Sequence, residues 1–307
     1  MEYHNPVLLF ESVDGLAIKK DGIYVDVTFG GGGHSREILK RLGEQGQLFA
    51  FDQDKDALQN DIKDPRFTLI PENFCHLKRF LRIHGIKQVD GILADLGVSS
   101  HQFNEAERGF STRFDAELDM RMDRTSRLTA KMVVNEYGEK ELENMLFNYG
   151  ELRNAKSIAK KIIDARQIKE ISSSFDLIKV VGDLLPKGLE HKISAQIFQA
   201  IRIEVNQEMK VLEDFLKQTP ELLNEKGRLC IISYHSLEDR MVKRFMKSGR
   251  IEGEPEKDFY GNFYIPFKTI DKMIEPGPEE IRKNNRARSA KLRIAERLKE
   301  SSKNTIQ

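Results

Sequence analysis

Only two cysteines occur among the 307 residues, Cys75 and Cys230, far apart and without C-x-x-C spacing. That scarcity argues against a disulfide framework and a thiolate zinc site, and it suits a reducing compartment in which both are small core residues. Charge of one sign is lacking too. Fifty Lys and Arg face 49 Asp and Glu, a formal net charge of +1, so there is no global attraction to nucleic acid. Any basic surface must come from segregation. No apolar run approaches the roughly twenty residues of a membrane span, and the opening MEYHNPVLLF lacks the charged and apolar regions of a signal peptide. A soluble cytoplasmic protein with no membrane partner is expected. Internal repeats and low-complexity tracts are absent, and the length suffices for one large or two modest domains.

What the chain does contain is a concentrated glycine turn. VDVTFGGGGHSREIL places Gly30, Gly31, Gly32 and Gly33 between a strand-like run and a helix-like segment. Such turns let a ligand approach main-chain N–H groups. A Walker loop needs a closing Gly-Lys-Ser/Thr, but His34 and Ser35 follow here, so no lysine awaits a phosphate. The dinucleotide pattern also fails, because Ser35 stands where its third glycine should fall. About twenty residues on, GQLFAFDQD ends a second apolar run at Asp52, where nucleotide folds place a carboxylate on ribose hydroxyls. A ribose without a pyrophosphate points to S-adenosylmethionine.

Between residues 22 and 96, the strand-like runs IYVDV, QLFAF, FTLI and VDGILADL alternate with helix-like segments, the signature of a parallel sheet covered by helices. After Gln102 the spacing becomes helical throughout. The αβ pattern resumes with a helical run over 193–216, the strand GRLCIISY and the helix SLEDRMVKRFMK. This predicts an α/β domain over 1–102 and 192–307, interrupted by a helical domain over 103–191. The tail beyond Arg282 is rich in Arg, Lys and Asn and is expected to be partly mobile.

Ligands of open parallel sheets bind beyond the carboxyl ends of the strands, so polar residues there are the candidates. Phe74, in ENF after the third strand, either flanks an adenine ring or is a core residue fixing a helix start. Asp95 ends the fourth strand in ADLGVSSHQ. It is a candidate to accept a hydrogen bond from a target amine and help remove its proton, or else a turn cap. At the end of the fifth strand, His235 is a candidate substrate contact, while Ser236 with Asp239 forms a capping-box-like pair. No second histidine or cysteine gives metal spacing, and no G-x-S-x-G elbow supports a hydrolase. Arg286, Arg288, Lys291 and Arg293 cluster near the C-terminus, and Arg108, Arg113, Arg121 and Arg124 follow the Asp95 loop. Both groups suit phosphate contacts or a solvated helix face with intrahelical pairs. Asp119 and Asp123 are expected to pair with neighbouring arginines rather than hold a metal.

Together TFGGGGHS, ADLGVSSHQ, RGFS with LDMRMD, FQAIRIEVNQE, YHSLEDR and RARSAKLR resemble, in order and over nearly the whole chain, the ribosomal RNA small-subunit methyltransferase H family, also called MraW. The resemblance implies a Rossmann-like class I methyltransferase domain interrupted by a helical substrate-recognition domain. It also implies methyl transfer from S-adenosyl-L-methionine to the N4 amine of a cytosine near the decoding centre of 16S small-subunit ribosomal RNA. Carried over by motif, cofactor contacts fall on Gly32, Gly33, His34, Asp52, Phe74, Asp95 and Gln102. Asp95 and His235 are the candidate catalytic residues, and Arg286, Arg288 and Lys291 contact RNA, free or in the assembled subunit. No metal is expected. The chain departs from the family pattern at Gln196 and Asn285, both bearing on RNA contact. Rival readings are an RNA-binding protein without catalysis and a methyltransferase acting on DNA or protein.

Overall fold

The computed structural model describes residues 6–99, 102–103, 105–253 and 263–299. Its chain divides into two compact units: Met1–Gly97 with Met209–Gln307, and Val98–Glu208.

The first unit is built on a sheet of seven strands: β1 (Ile23–Asp26), β2 (Gln47–Phe51), β3 (Phe67–Ile70), β4 (Val89–Asp95), β5 (Leu223–Ser233), β6 (Phe267–Ile274) and β7 (Lys291–Arg297). Their order is β3-β2-β1-β4-β5-β7-β6. The first five pair in parallel, whereas β7 runs antiparallel between β5 and β6. This is the expected Rossmann-like arrangement of class I methyltransferases, with a reversed strand near one edge. The period-2 side-chain alternation of each strand feeds two cores. Val25, Phe49, Phe51, Ile92, Ala94 and Ile231 enter one, under the helices Leu77–Ile83, Glu208–Leu222 and Ser236–Ser248. Tyr24, Leu48, Ala50, Leu93, Cys230 and Ile232 enter the other, under Leu9–Gly15 and Gly33–Arg41. Burial on both faces is why these runs are continuously apolar.

β6 and β7 were not expected. Within RSAKLRIAER, for which phosphate contacts or a charged helix face were expected, Lys291–Arg297 forms β7, with Leu292 and Ile294 buried and Arg293 directed elsewhere. Its charges satisfy partners on other elements: Arg228 pairs with Glu296 at 2.9 Å on the neighbouring strand, and Arg293 holds Asp239 through two nitrogens at 2.7 and 3.2 Å. Strand pairing thus orders a stretch expected to be mobile.

The second unit is helical, with Ala130–Glu136, Glu139–Gly150, Ala155–Arg166, Ser174–Val181 and Glu190–Asn206 surrounding their own core of Val133, Leu142, Leu146, Ile158, Ile197 and Ile201. The run expected as one helix over 193–216 is two. Glu190–Asn206 stops at Gln207, whose φ of 49° leaves the right-handed helical region, and Glu208–Leu222 begins anew. Ile197, Phe198 and Ile201 join the second unit's core, whereas Leu212, Phe215 and Leu216 lie under the sheet. The unit boundaries therefore fall at 97/98 and 208/209 rather than 102/103 and 191/192. Among the described residues no helix is long and apolar enough to cross a membrane.

Candidate functional site

Because the strand order reverses between β1 and β4, the carboxyl ends of these two strands open a crevice at the switch point. The glycine turn, Asp52, Asp95 and Tyr234 all stand at strand ends on this edge. The start of β7 shares it, since that strand is reversed: Lys291 is paired with Ser233, the last residue of β5.

Asp52 follows β2. Its Oδ2 accepts the Gly30 N–H at 2.8 Å and its Oδ1 accepts the Asp54 N–H at 2.8 Å. The carboxylate is thereby fixed in the turn, with lone pairs left for a ligand's hydroxyls. Burial pushes its pKa up to about 6, against the opposing effect of the two N–H donors.

The four glycines divide by what surrounds them. Gly30 has φ of 51° and nothing within 4 Å of where a Cβ would lie, so its bare side opens onto unfilled space. A Cβ on Gly32, at φ 73°, would meet the Phe29 ring at 2.8 Å, and one on Gly33 would lie 2.1 Å from Pro6 Cγ. Gly32 and Gly33 are thus required by the protein's own packing, whatever their main chain offers a cofactor. Gly33 also opens the helix Gly33–Arg41, whose first-turn N–H groups lack intrahelical partners and favour a carboxylate.

Asp26 was not singled out from the sequence, because it lies within an apolar strand. It is fully buried, accepting the Ser35 hydroxyl at 2.7 Å and the Thr28 N–H at 3.1 Å. Burial raises its pKa to about 6. A carboxylate at the last position of a buried strand was the available signal.

Asp95 ends β4. Its N–H donates to Thr28 Oγ1 at 2.6 Å, tying the ends of β4 and β1 together. Its Oδ1 accepts the Tyr234 hydroxyl at 2.8 Å, and its Oδ2 lies 3.9 Å from His34 Nδ1. Burial pushes Asp95 up to about 6, countered first by His34 and then by the phenol. The side chain still keeps 22% of its surface exposed. His34 is buried, with Nε2 3.2 Å from the Val7 carbonyl oxygen, and burial lowers its pKa. Since that oxygen only accepts, Nε2 carries the proton. The His34 ring accordingly serves to anchor residues 6–8 behind the glycine turn, a role the sequence did not suggest. Leu8 N–H completes the anchor at Glu280 Oε1, 2.8 Å away.

Phe74 realises the core alternative in large part, packing edge-on against Phe215 with centroids 5.3 Å apart while remaining partly exposed. Gln102 belongs to the second unit, where its Oε1 accepts the Ser99 N–H at 3.1 Å. His235, expected to contact substrate, is the N-cap of the helix Ser236–Ser248: its Nδ1 faces the Glu238 N–H, and Glu238 reaches back to the main chain. The capping box lies one residue earlier than the Ser236 and Asp239 pairing expected.

Arg286 and Arg288 lie on a short turn anchored by buried Ala287, directly before β7. Arg288 is exposed, and Lys291 is partly exposed, 3.6 Å from Asp239. The arginines of the second unit behave differently. Arg108 is buried and donates to the carbonyls of Arg121 and Met122, and Arg121 pairs with Asp119 through two nitrogens at 2.8 Å each. Of that expected phosphate-binding group, Arg113 and Arg124 are exposed.

Comparison with known proteins agrees with this reading. A model of the MraW methylase family matches residues 1–298. The chain is 66% identical over 298 residues to the ribosomal RNA small subunit methyltransferase H of Flavobacterium johnsoniae, covering 97% of this chain and 99% of that one. Against the protein of the same name from Christiangramia forsetii, identity is 64% over 298 residues, with 97% and 99% covered. For Bacteroides thetaiotaomicron it is 54% over 298 residues, with 97% and 98% covered. A family match of this extent, on a class I methyltransferase sheet, establishes that the chain belongs to the MraW methylase family, with S-adenosyl-L-methionine as its cofactor.

Proposed function

We propose that this protein methylates the N4 amine of a cytosine in 16S small-subunit ribosomal RNA, near the decoding centre. The observation that carries the reading is Asp95, a partly exposed carboxylate at the β1/β4 switch point with one oxygen held by Tyr234 and the other without a hydrogen bond among the described residues. The names of the relatives, which specify small-subunit ribosomal RNA, support the substrate class.

The residues present fit the cofactor. Asp52 takes the ribose hydroxyls, the open side of Gly30 and the first turn of the helix Gly33–Arg41 receive the amino-acid portion, and the exposed part of Phe74 borders the adenine. When bound, the cofactor would supply an electrophilic methyl group, released to the amine nitrogen with the carbon–sulfur electron pair left on sulfur. Aligning nitrogen and methyl is the protein's main task. Asp95 Oδ2 accepts a hydrogen bond from the amine, turns its lone pair toward the methyl, and then receives the surplus proton, which passes to water. With a pKa near 6, Asp95 is ionised at neutral pH and able to do so. Arg286, Arg288 and Lys291 bind phosphates at the same sheet edge, and the inserted helical unit recognises the RNA.

The test is methyl transfer from labelled cofactor to small ribosomal subunits and to free small-subunit RNA, followed by nucleoside analysis. N4-methylcytidine is the expected product. Label in another nucleoside, in DNA or in protein would overturn the assignment, and RNA binding without label would identify a non-catalytic protein.

A further inference from the structure

Tyr234 lies immediately after β5, yet its side chain acts at the end of β4. Three contacts fix it. Its main-chain N–H donates to Glu238 Oε2 at 2.9 Å, so the capping box of the helix Ser236–Ser248 holds its backbone. Its ring lies against Gly97, where a Cβ would be 3.4 Å from Cδ2, and Gly97 takes φ of 96°. Its hydroxyl donates to Asp95 Oδ1 at 2.8 Å.

The other side of Asp95 is different. His34 Nδ1 is 3.9 Å from Oδ2, beyond hydrogen-bond reach. Among the described residues, the phenol is the one side chain that donates a hydrogen bond to this carboxylate. One oxygen is tied and the other is left for an incoming donor.

We propose that Tyr234 is a positioning residue for methyl transfer: it locks the Asp95 carboxylate through Oδ1 so that Oδ2 faces the target amine and takes its proton. This rests on the reading of Asp95 given above. A carboxylate that rotated freely would share its lone pairs between water and the amine, while a tied one presents a single acceptor in a fixed direction. The phenol also favours the ionised form. The groups that act on Asp95 electrostatically are His34 from the helix after the glycine turn, Asp26 from β1, Glu238 from the helix Ser236–Ser248, and Tyr234 itself. Of these only Tyr234 donates a hydrogen bond to the carboxylate, so its removal shifts the carboxylate toward protonation.

The test uses the full chain with cofactor and small subunits under single-turnover conditions across pH. Tyr234→Phe, which keeps the ring, should slow methyl transfer by roughly tenfold or more, the effect of losing a hydrogen bond to a charged group. It should also move the acid limb of the rate profile to higher pH and leave cofactor affinity unchanged. Tyr234→Leu, which removes the ring as well, should be no faster than Tyr234→Phe. In an Asp95→Asn background, Tyr234→Phe should add little, because the residue acts through the carboxylate. A Phe variant with wild-type rate and pH profile, whether or not the Leu variant fails, would reduce Tyr234 to packing and overturn the proposal. A wild-type rate for Asp95→Asn alone would instead refute the reading of Asp95 on which it rests.

Discussion

The Gly30 N–H points at Asp52 Oδ2 from 2.8 Å, joining the turn after β1 to the carboxylate after β2. Ligand binding and local order at this edge are therefore one problem. Asp52→Ala removes both the ribose acceptor and the partner of the turn, so cofactor affinity should fall at least about tenfold, corresponding to roughly 1.5–3 kcal/mol for a charge-assisted hydrogen bond. Calorimetric titration measures it, and unchanged affinity would remove Asp52 from the site.

Asp26, Asp52 and Asp95 each stand near 6, above the 3.8 of an ordinary aspartate. Between about pH 4 and 6 the folded protein holds more protons on these groups than the unfolded chain does, so their contribution to stability declines as pH rises through that window. Acidifying from pH 7 to 4 should recover it. Asp64, held at about 2 by Arg66, acts oppositely but only at lower pH. Asp26→Asn should flatten the dependence by on the order of 1–3 kcal/mol. Parallel denaturation curves for the variant and wild type across this range would rule out Asp26 as a source.

Gly33→Ala brings a Cβ to 2.1 Å from Pro6 Cγ, whereas Gly30→Ala meets open space and only the strain of a positive φ. The first should lower stability by about 1–3 kcal/mol through overpacking. The second should destabilise less but weaken cofactor binding more, since its methyl enters the space assigned to the ligand. Thermal unfolding paired with cofactor titration separates them, and a wild-type melting temperature for Gly33→Ala would show that Pro6 yields freely.

Replacing Arg286, Arg288 and Lys291 together by alanine should weaken RNA binding and flatten its salt dependence, because each lost phosphate contact removes counterion release. Cofactor affinity should be unaffected. Equal RNA affinities and parallel salt plots for wild type and variant would leave this segment a solvated turn.

The parallel half of the sheet was legible because buried strands are short, apolar and bounded by turns: Ile23–Asp26, Gln47–Phe51, Phe67–Ile70 and Val89–Asp95 all stand where the runs predicted them. β7 was not, because Lys291, Arg293, Glu296 and Arg297 are good helix formers, and the charges among them that settle the matter find partners distant in sequence. Asp95 was legible by position. Tyr234 and Asp26 were not, since a tyrosine after a strand and an aspartate within one become informative only when a hydroxyl reaches across to β4 and burial strips away water. At His235 a histidine at a strand end suggested chemistry, and its place as a helix cap became legible only with Glu238, three residues on.

β7 is the last of the described strands to be synthesised, yet it occupies an interior place between β5 and β6. Until residues 291–297 emerge from the ribosome, β5 is an open edge with a row of unpaired main-chain groups. The N-terminal segment waits as well, since the Leu8 N–H partner Glu280 lies 272 positions away. The helical unit has no such dependence, its core being complete once residue 208 is made. The insert can thus complete its core before the sheet does, and a polypeptide cut short before Lys291 would present an insert with a complete core beside an unfinished, aggregation-prone sheet.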